Sequence, residues 1–164
     1  CKFTRGVYSS SLSAYCCNIV NGNISAIARS RPRLQYILRT SSKTAAAADL
    51  AKPVLGLFEA SHMKYETDRT GEPSLAEMTA KALEVLDRHK NGFFLMVEGS
   101  RIDMAAHAKD PVGVITEMLA FDKAVGVALD FARRDGRTAV VIMPDHGTSG
   151  LSFGDGAYKD YASK

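Results

Sequence analysis

Two uninterrupted apolar runs organise the second half of the chain. "FFLMV" (residues 93–97) and "TAVVIM" (residues 138–143) are short and rich in strand-forming residues. They predict two buried strands, the first covered on both faces. Around them the pattern changes to a helical period. "SLAEMTAKALEVLDRHKNG" (residues 74–92) puts Leu75, Met78, Ala82, Val85 and Leu86 on one apolar stripe. Ser74 and Glu77 make a capping-box pair at its start. His89 and Lys90 are expected in its last turn, where cations suit the dipole, and Gly92 is the expected C-cap. After Asp110-Pro111 a long helix is predicted from about Val112 to Arg134. Its inward residues are expected to be Ile115, Met118, Leu119, Val125, Leu129 and Ala132, and "RDGR" (residues 134–137) reads as a turn. Upstream, "VLGLF" (residues 54–58) reads as a short buried strand, residues 41–52 as an Ala-rich candidate helix, and residues 59–73 as a polar, turn-rich loop. Residues 1–33 carry little pattern, and no internal repeat is visible.

Strand, helix, strand is the signature of an α/β fold, here a mostly parallel sheet with helices on both faces. Parallel strands end on the same edge, and ligands of open α/β sheets bind outside those carboxyl ends. Each apolar run leads into acidic and imidazole side chains. Glu98, Asp103 and His107 follow the first, and Asp145 and His146 follow the second. If a helical turn begins after Glu98, Asp103 and His107 stand at i and i+4, with Cβ atoms about 6 Å apart. One carboxylate and one imidazole can then grip the same ion.

Mixed oxygen and nitrogen ligation suits zinc, and a lone carboxylate such as Glu98, completed by waters and hydroxyls, suits magnesium. Two zinc ions side by side would clamp the attacking and leaving oxygens of a displacement at phosphorus. Each part also has a plain structural reading. A helix surface can carry D-x-x-x-H, an Asp after a strand often caps the next element, and Glu98 can be a solvated strand end.

The composition narrows the classes without choosing among them. The chain has 164 residues, 46% hydrophobic and 24% charged, as expected for one globular domain. No apolar run approaches the roughly 20 residues that cross a bilayer, and no secretory signal is visible, although the sequence begins at Cys1 rather than Met. The net charge of +3 is unevenly spread. Residues 1–44 carry Lys2, Arg5, Arg29, Arg31, Arg33, Arg39 and Lys43 and no acid, against 14 basic and 18 acidic residues in the remainder.

Such a basic, Ser-rich leader reads as a transit-type sequence, an anionic-surface arm, or a stretch unrelated to the domain over residues 45–164. Regular aromatic spacing is missing from it, which argues against nucleic acid as a partner. Cys1, Cys16 and Cys17 fit neither a disulfide framework nor a zinc spacing.

The residues carry a family resemblance. "FFLMVEGSRIDMAAHAKDP" resembles the metal-binding segment of the alkaline phosphatases, and "VIMPDHGTSGLSFG" resembles their second one. "KPVLGLFEASHMKYETDR" (residues 52–69) and "EPSLAEMTAKALEVL" (residues 72–86) resemble the stretch before the family's central helix and that helix. The resemblance covers about residues 50–164. It implies that Glu98 is a magnesium ligand, that Asp103 and His107 hold a first zinc, and that Asp145 and His146 hold a second. The implied activity is hydrolysis of phosphate monoesters through a phosphoserine.

It also implies what these residues do not supply. The nucleophilic Asp-Ser pair is absent, since the first acidic residue is Asp49 and no Asp-Ser occurs anywhere. An aspartate shared by zinc and magnesium, a phosphate-binding arginine and a late histidine are also without counterparts. No catalytic residue is therefore assigned, and a partial alkaline phosphatase-like domain with little activity of its own is expected. A homodimer, or a complementary N-terminal fragment, is the expected partner, and the family suggests a place outside the cytoplasm. Rival readings are a non-catalytic binding or assembly module and a sulfatase, phosphodiesterase or mutase of the same superfamily. His62 is expected to be a turn residue, and Arg101 to neutralise the carboxylates or face water.

Overall fold

A computed structural model describes residues 15–20, 23–27, 35–38, 54–59, 61–90 and 92–152. In chain order the elements are β1 (Tyr15–Val20), β2 (Asn23–Ile27), β3 (Gln35–Leu38), β4 (Val54–Leu57), helix α1 (Leu75–Leu86), β5 (Phe93–Val97), α2 (Ser100–His107) and α3 (Pro111–Asp135). The strands form a five-stranded sheet in the order β3-β4-β2-β1-β5. β5 runs parallel to β1, with Phe94 opposite Cys16 and Val97 opposite Ile19. β3 and β4 are also parallel, whereas β1 with β2 and β2 with β4 are antiparallel.

The fold is α/β, but the described sheet is mixed where a mostly parallel one was expected. The sequence between β1 and β2 is Asn21-Gly22, the dipeptide that favours tight hairpins, and a hairpin makes its strands antiparallel. β1, β2 and β3 come from the basic stretch 1–44. The helix expected over residues 41–52 lies outside the described residues.

Helix α1 begins as its sequence dictates. The Ser74 hydroxyl accepts from the Glu77 N–H at 3.1 Å, and the Glu77 carboxylate accepts from the Ser74 N–H at 2.7 Å. These reciprocal bonds hold the Glu77 carboxyl below its ordinary range. The helix ends at Leu86 with Asp87 as C-cap, earlier than expected, so its last turn carries no basic residue. His89 lies beyond it, with its N–H on the Leu86 carbonyl, and burial lowers its imidazole pKa. Gly92, at φ +78°, closes the following turn on the His89 carbonyl instead of capping the helix. Met78, Thr79, Ala82, Leu83 and Leu86 form the buried stripe. The Thr79 hydroxyl is satisfied by the Leu75 carbonyl at 2.7 Å.

The main core joins Phe58, Met63, Met78, Ala82 and Leu86 to Phe93, Leu95 and Val97 of β5. β5 therefore buries alternate side chains. Phe94 (47% exposed) and Met96 (38% exposed) face out, so the strand is covered on one face, not two. The ring of Phe93 also meets Phe131 of α3 edge to face, with centroids 5.9 Å apart.

α3 starts at Pro111, which suits the first helical turn because that turn needs no N–H from it. It ends at Gly136, whose φ of +71° is the left-handed cap. Its buried residues are Gly113, Val114, Glu117, Ala120 and Ala124. Ile115, Met118 and Leu119, expected inward, are exposed, and Val125, Leu129 and Ala132 are half-buried. The helix packs by its small side chains because α2 lies too close for large ones. A Cβ added to Gly113 would stand 3.1 Å from the Ala105 Cβ and 2.4 Å from Asp110 Oδ2.

The second expected strand does not form. Residues 138–143 have no regular structure, and Val141 is 74% exposed. A strand needs a neighbour to take up its N–H and C=O groups, and β5, at the edge of the described sheet, does not pair with this run.

Replacing Ser74 by Ala is expected to lower the unfolding free energy by about 1 kcal/mol. Val141→Thr should change it by less than about 0.5 kcal/mol. Urea titrations check both, and an equal loss at the two positions would put residues 138–143 in a packed strand.

Candidate metal centre

β5 ends at Val97 and delivers Glu98 at its tip. Gly99, the N-cap of α2, follows at once. A Cβ at Gly99 would stand 2.9 Å from Cδ2 of Phe121 and 3.0 Å from Cδ1 of Ile102, so glycine lets α3 close over the strand tip. α2 then presents Asp103 and His107 one turn apart, with His107 Nε2 3.5 Å from Asp103 Oδ2. Its opposite face is anchored. Ala105 and Ala106 are buried with Val114, and Tyr65 and Ile102 pack against them.

The segment after α3 returns to this helix. The Ser149 hydroxyl donates to the Ala106 carbonyl, and Ser149 itself takes φ +64° in the turn that makes this possible. Thr148 Oγ1 donates to Asp103 Oδ1 at 2.5 Å and stands 3.0 Å from His146 Nδ1. His146 Nδ1 lies 3.9 Å from Asp103 Oδ1, and His146 Nε2 lies 3.4 Å from Asp145 Oδ2. The Asp103–His107 and Asp145–His146 pairs therefore meet at Asp103, although residues 138–143 are not a strand.

Glu98 belongs to the same electrostatic neighbourhood. Burial raises its carboxyl pKa first, and the charges of Asp145 and Asp103 raise it further. Among the described residues, no three or more of these side chains close on one point as an ion cage would. Carboxylates that repel one another, flanked by imidazoles, are the donor set that a hard or borderline cation would draw together. The residues present fit zinc and magnesium on that chemistry.

The loop over residues 61–73 is pinned beside this centre by polar contacts. The Glu66 N–H donates to Oε1 of the buried Glu117 at 2.5 Å. Arg69 donates to both oxygens of Glu66, at 2.8 and 2.9 Å, and to the Glu72 carbonyl at 3.1 Å. The Lys64 N–H reaches Glu72 Oε2 at 3.0 Å. Arg101 is half-buried and, among the described residues, has no carboxylate at hydrogen-bonding distance. Its guanidinium lies 3.9 Å from the centroid of the Tyr65 ring, and Nη1 is 3.1 Å from the Met104 sulfur. His62 is exposed in the loop.

Sequence reasoning missed Thr148, Ser149, Glu117 and Tyr65. A hydroxyl two residues after an Asp-His pair is the one local signal that could have singled out Thr148.

The alkaline phosphatase family model matches residues 22–162. The chain belongs to the alkaline phosphatase family. It is similar to alkaline phosphatase 3 of Bacillus subtilis, with 50% identity over 107 residues, covering 64% of this chain and 23% of that protein. The alkaline phosphatase of Schizosaccharomyces pombe is 37% identical over 153 residues, covering 88% of this chain and 28% of that protein. The chain thus spans about a quarter of the length of these relatives.

Among solved structures, Thermus thermophilus alkaline phosphatase superposes with a TM-score of 0.58 at 32% identity, over 62% of this chain and 22% of that one. A TAB5 alkaline phosphatase mutant with Mg bound in its M3 site superposes with a TM-score of 0.51 at 30% identity, over 63% of this chain and 29% of that one.

Burial is the chief reason the Glu117 carboxyl pKa lies above 4.5, only partly offset by the Glu66 N–H. A raised acid pKa means that its contribution to stability is fully present below the unfolded value and is lost as pH rises through the folded one. Glu117→Gln keeps an acceptor for Glu66 and removes that loss. Urea midpoints measured from about pH 4 to 7 should fall less steeply with rising pH in the variant. An identical slope would show that Glu117 does not titrate in this way.

Proposed function

We propose that this chain forms the metal-binding part of a zinc- and magnesium-dependent alkaline phosphatase, whose reaction is hydrolysis of phosphate monoesters. The observation that carries the reading is the meeting of two ligand pairs from distant parts of the sequence at Asp103, through Thr148. In this reading Asp103 and His107 hold one zinc, Asp145 and His146 the other, and Glu98 the magnesium. The metals supply Lewis-acid stabilisation of charge on oxygen and lower the pKa of an attacking hydroxyl. The chain's own residues hold these ligands in register. α2 keeps Asp103 and His107 on one face, and the Ser149 tie to Ala106 returns Asp145 and His146 to it.

The 164 residues contain no Asp-Ser pair, so by themselves they should turn over substrate little or not at all. The larger fold in this reading is a mostly parallel sheet with helices on both faces. The exposed apolar run at Val141, Ile142 and Met143 and the outward Ile115, Met118 and Leu119 support it, since both are surfaces that further chain would cover. The partner that completes the site is then a complementary N-terminal stretch, or a second copy. No described helix is long and apolar enough to cross a membrane, and placement outside the cytoplasm follows the family.

A second reading is a non-catalytic binding module. The observation in its favour is that no group of three or more possible ligands is closed among the described residues.

Two measurements decide between these readings. Equilibrium dialysis should find bound zinc, weakened at least about tenfold in Asp103→Asn. No binding at all favours the module. Purified chain with added zinc and magnesium should hydrolyse p-nitrophenyl phosphate at no more than trace rates. Robust turnover would refute the proposed dependence on residues outside this chain.

A further inference from the structure

We propose that Thr148 is the positioning residue that holds His146 with its proton on Nδ1, and so leaves Nε2 bare for the cation. The inference rests on the metal-site reading above and adds to it a residue that is not itself a ligand. A threonine hydroxyl has one proton to give and lone pairs to receive. Two partners compete for that proton, Asp103 Oδ1 at 2.5 Å and His146 Nδ1 at 3.0 Å. An ionised carboxylate only accepts, so the nearer and charged Asp103 takes the proton. The oxygen then offers a lone pair to Nδ1, and the favourable partner for a lone pair is an N–H. The chain of bonds therefore runs from His146 Nδ1–H to Thr148 Oγ1 and from Thr148 O–H to Asp103, the direction that the shorter contact to Asp103 favours.

With the proton fixed on Nδ1, the free lone pair of the ring is on Nε2. That nitrogen lies 3.4 Å from Asp145 Oδ2, so both members of the Asp145–His146 pair address the same space. The arrangement does not depend on a bound ion for its position. The neighbouring Ser149 hydroxyl is tied to the Ala106 carbonyl at the end of α2, which sets Thr148 over Asp103 in advance. A ligating histidine generally needs such an outer partner for its second nitrogen, and loss of one weakens metal binding about 10–100-fold. Thr148 joins the two zinc pairs as well, because its acceptor Asp103 belongs to the pair with His107.

The test uses the full chain, metal-free and with zinc alone. Two-bond proton–nitrogen correlation spectra of histidine-labelled protein separate the Nδ1–H from the Nε2–H form of His146. The wild type and Thr148→Ser should show Nδ1–H. Thr148→Val, which keeps the shape and loses the hydroxyl, should shift toward the Nε2–H form that free imidazole side chains prefer. Zinc affinity should fall about 10–100-fold in Thr148→Val and stay close to wild type in Thr148→Ser. Far-UV circular dichroism checks that all variants are folded.

An Nε2–H ring or a doubly protonated ring in the wild type overturns the proposal. So does an unchanged tautomer in the valine variant. His146→Ala separates the two claims. If the tautomer shifts with Thr148 while His146→Ala leaves zinc affinity unchanged, the metal reading fails and the hold of Thr148 on the ring stands.

Discussion

The close approach of α3 to α2 and to the tip of β5 is the constraint on which the rest of the structure depends. It is built from residues with almost no side chain: Gly99 under Phe121, and Gly113 against Ala105. Because the helices meet there, the inward face of α3 is its small-residue face. Ile115, Met118 and Leu119 are turned outward, whereas Phe121 and Phe131 reach Gly99 and Phe93. The same approach puts Glu117 where it can accept from the backbone of Glu66, and it sends the chain after α3 back across the end of α2. A Cβ at Gly99 would displace the Phe121 ring, and one at Gly113 would displace the Asp110 carboxylate and press on Ala105.

Electrostatics at the centre is arranged in two layers. Inside are carboxylates of like charge, and burial together with the charges of Asp145 and Asp103 disfavours the ionised form of Glu98. Around them are two hydroxyls: Thr148 donates to Asp103, and Ser149 donates to the Ala106 carbonyl. Arg101, the cation nearest in sequence to Asp103, lies on the face of Tyr65. In the proposed reading these contacts set the ligand-bearing segments in register.

The exposed apolar surfaces are of a piece with a chain that matches only about a quarter of the length of its relatives. Phe94 and Met96 on β5, Ile115, Met118 and Leu119 on α3, and Val141 to Met143 are all exposed. A helix that is apolar on more than one face is ordinarily an interior helix. α3 has that character, with one face against α1 and α2 and another exposed among the described residues.

The sequence by itself determined the local elements. The Ser74–Glu77 box, the apolar stripe of α1, the Pro111 start and Gly136 end of α3, and the Asp103–His107 spacing on α2 are all interactions within a few residues. They follow from propensity and period; the structure has the box and the Asp103–His107 turn as read, starts α3 at Pro111 where about Val112 was expected, and adds Thr79 and Leu83 to the buried stripe of α1. The five residues proposed as ligands also stand out in the sequence, because their types follow apolar runs. Only the tertiary structure decided the rest. Which face of α3 is buried depended on how near α2 lies, so the greasier residues were the wrong guide. Whether residues 138–143 become a strand depended on a partner edge, which no local pattern supplies. The pairing of β5 with β1 joined residues far apart in the chain, and Thr148 acquired its place over Asp103 by the same route. Short-range preferences are written residue by residue, whereas contacts across long stretches of chain exist only once the competing packings have been resolved.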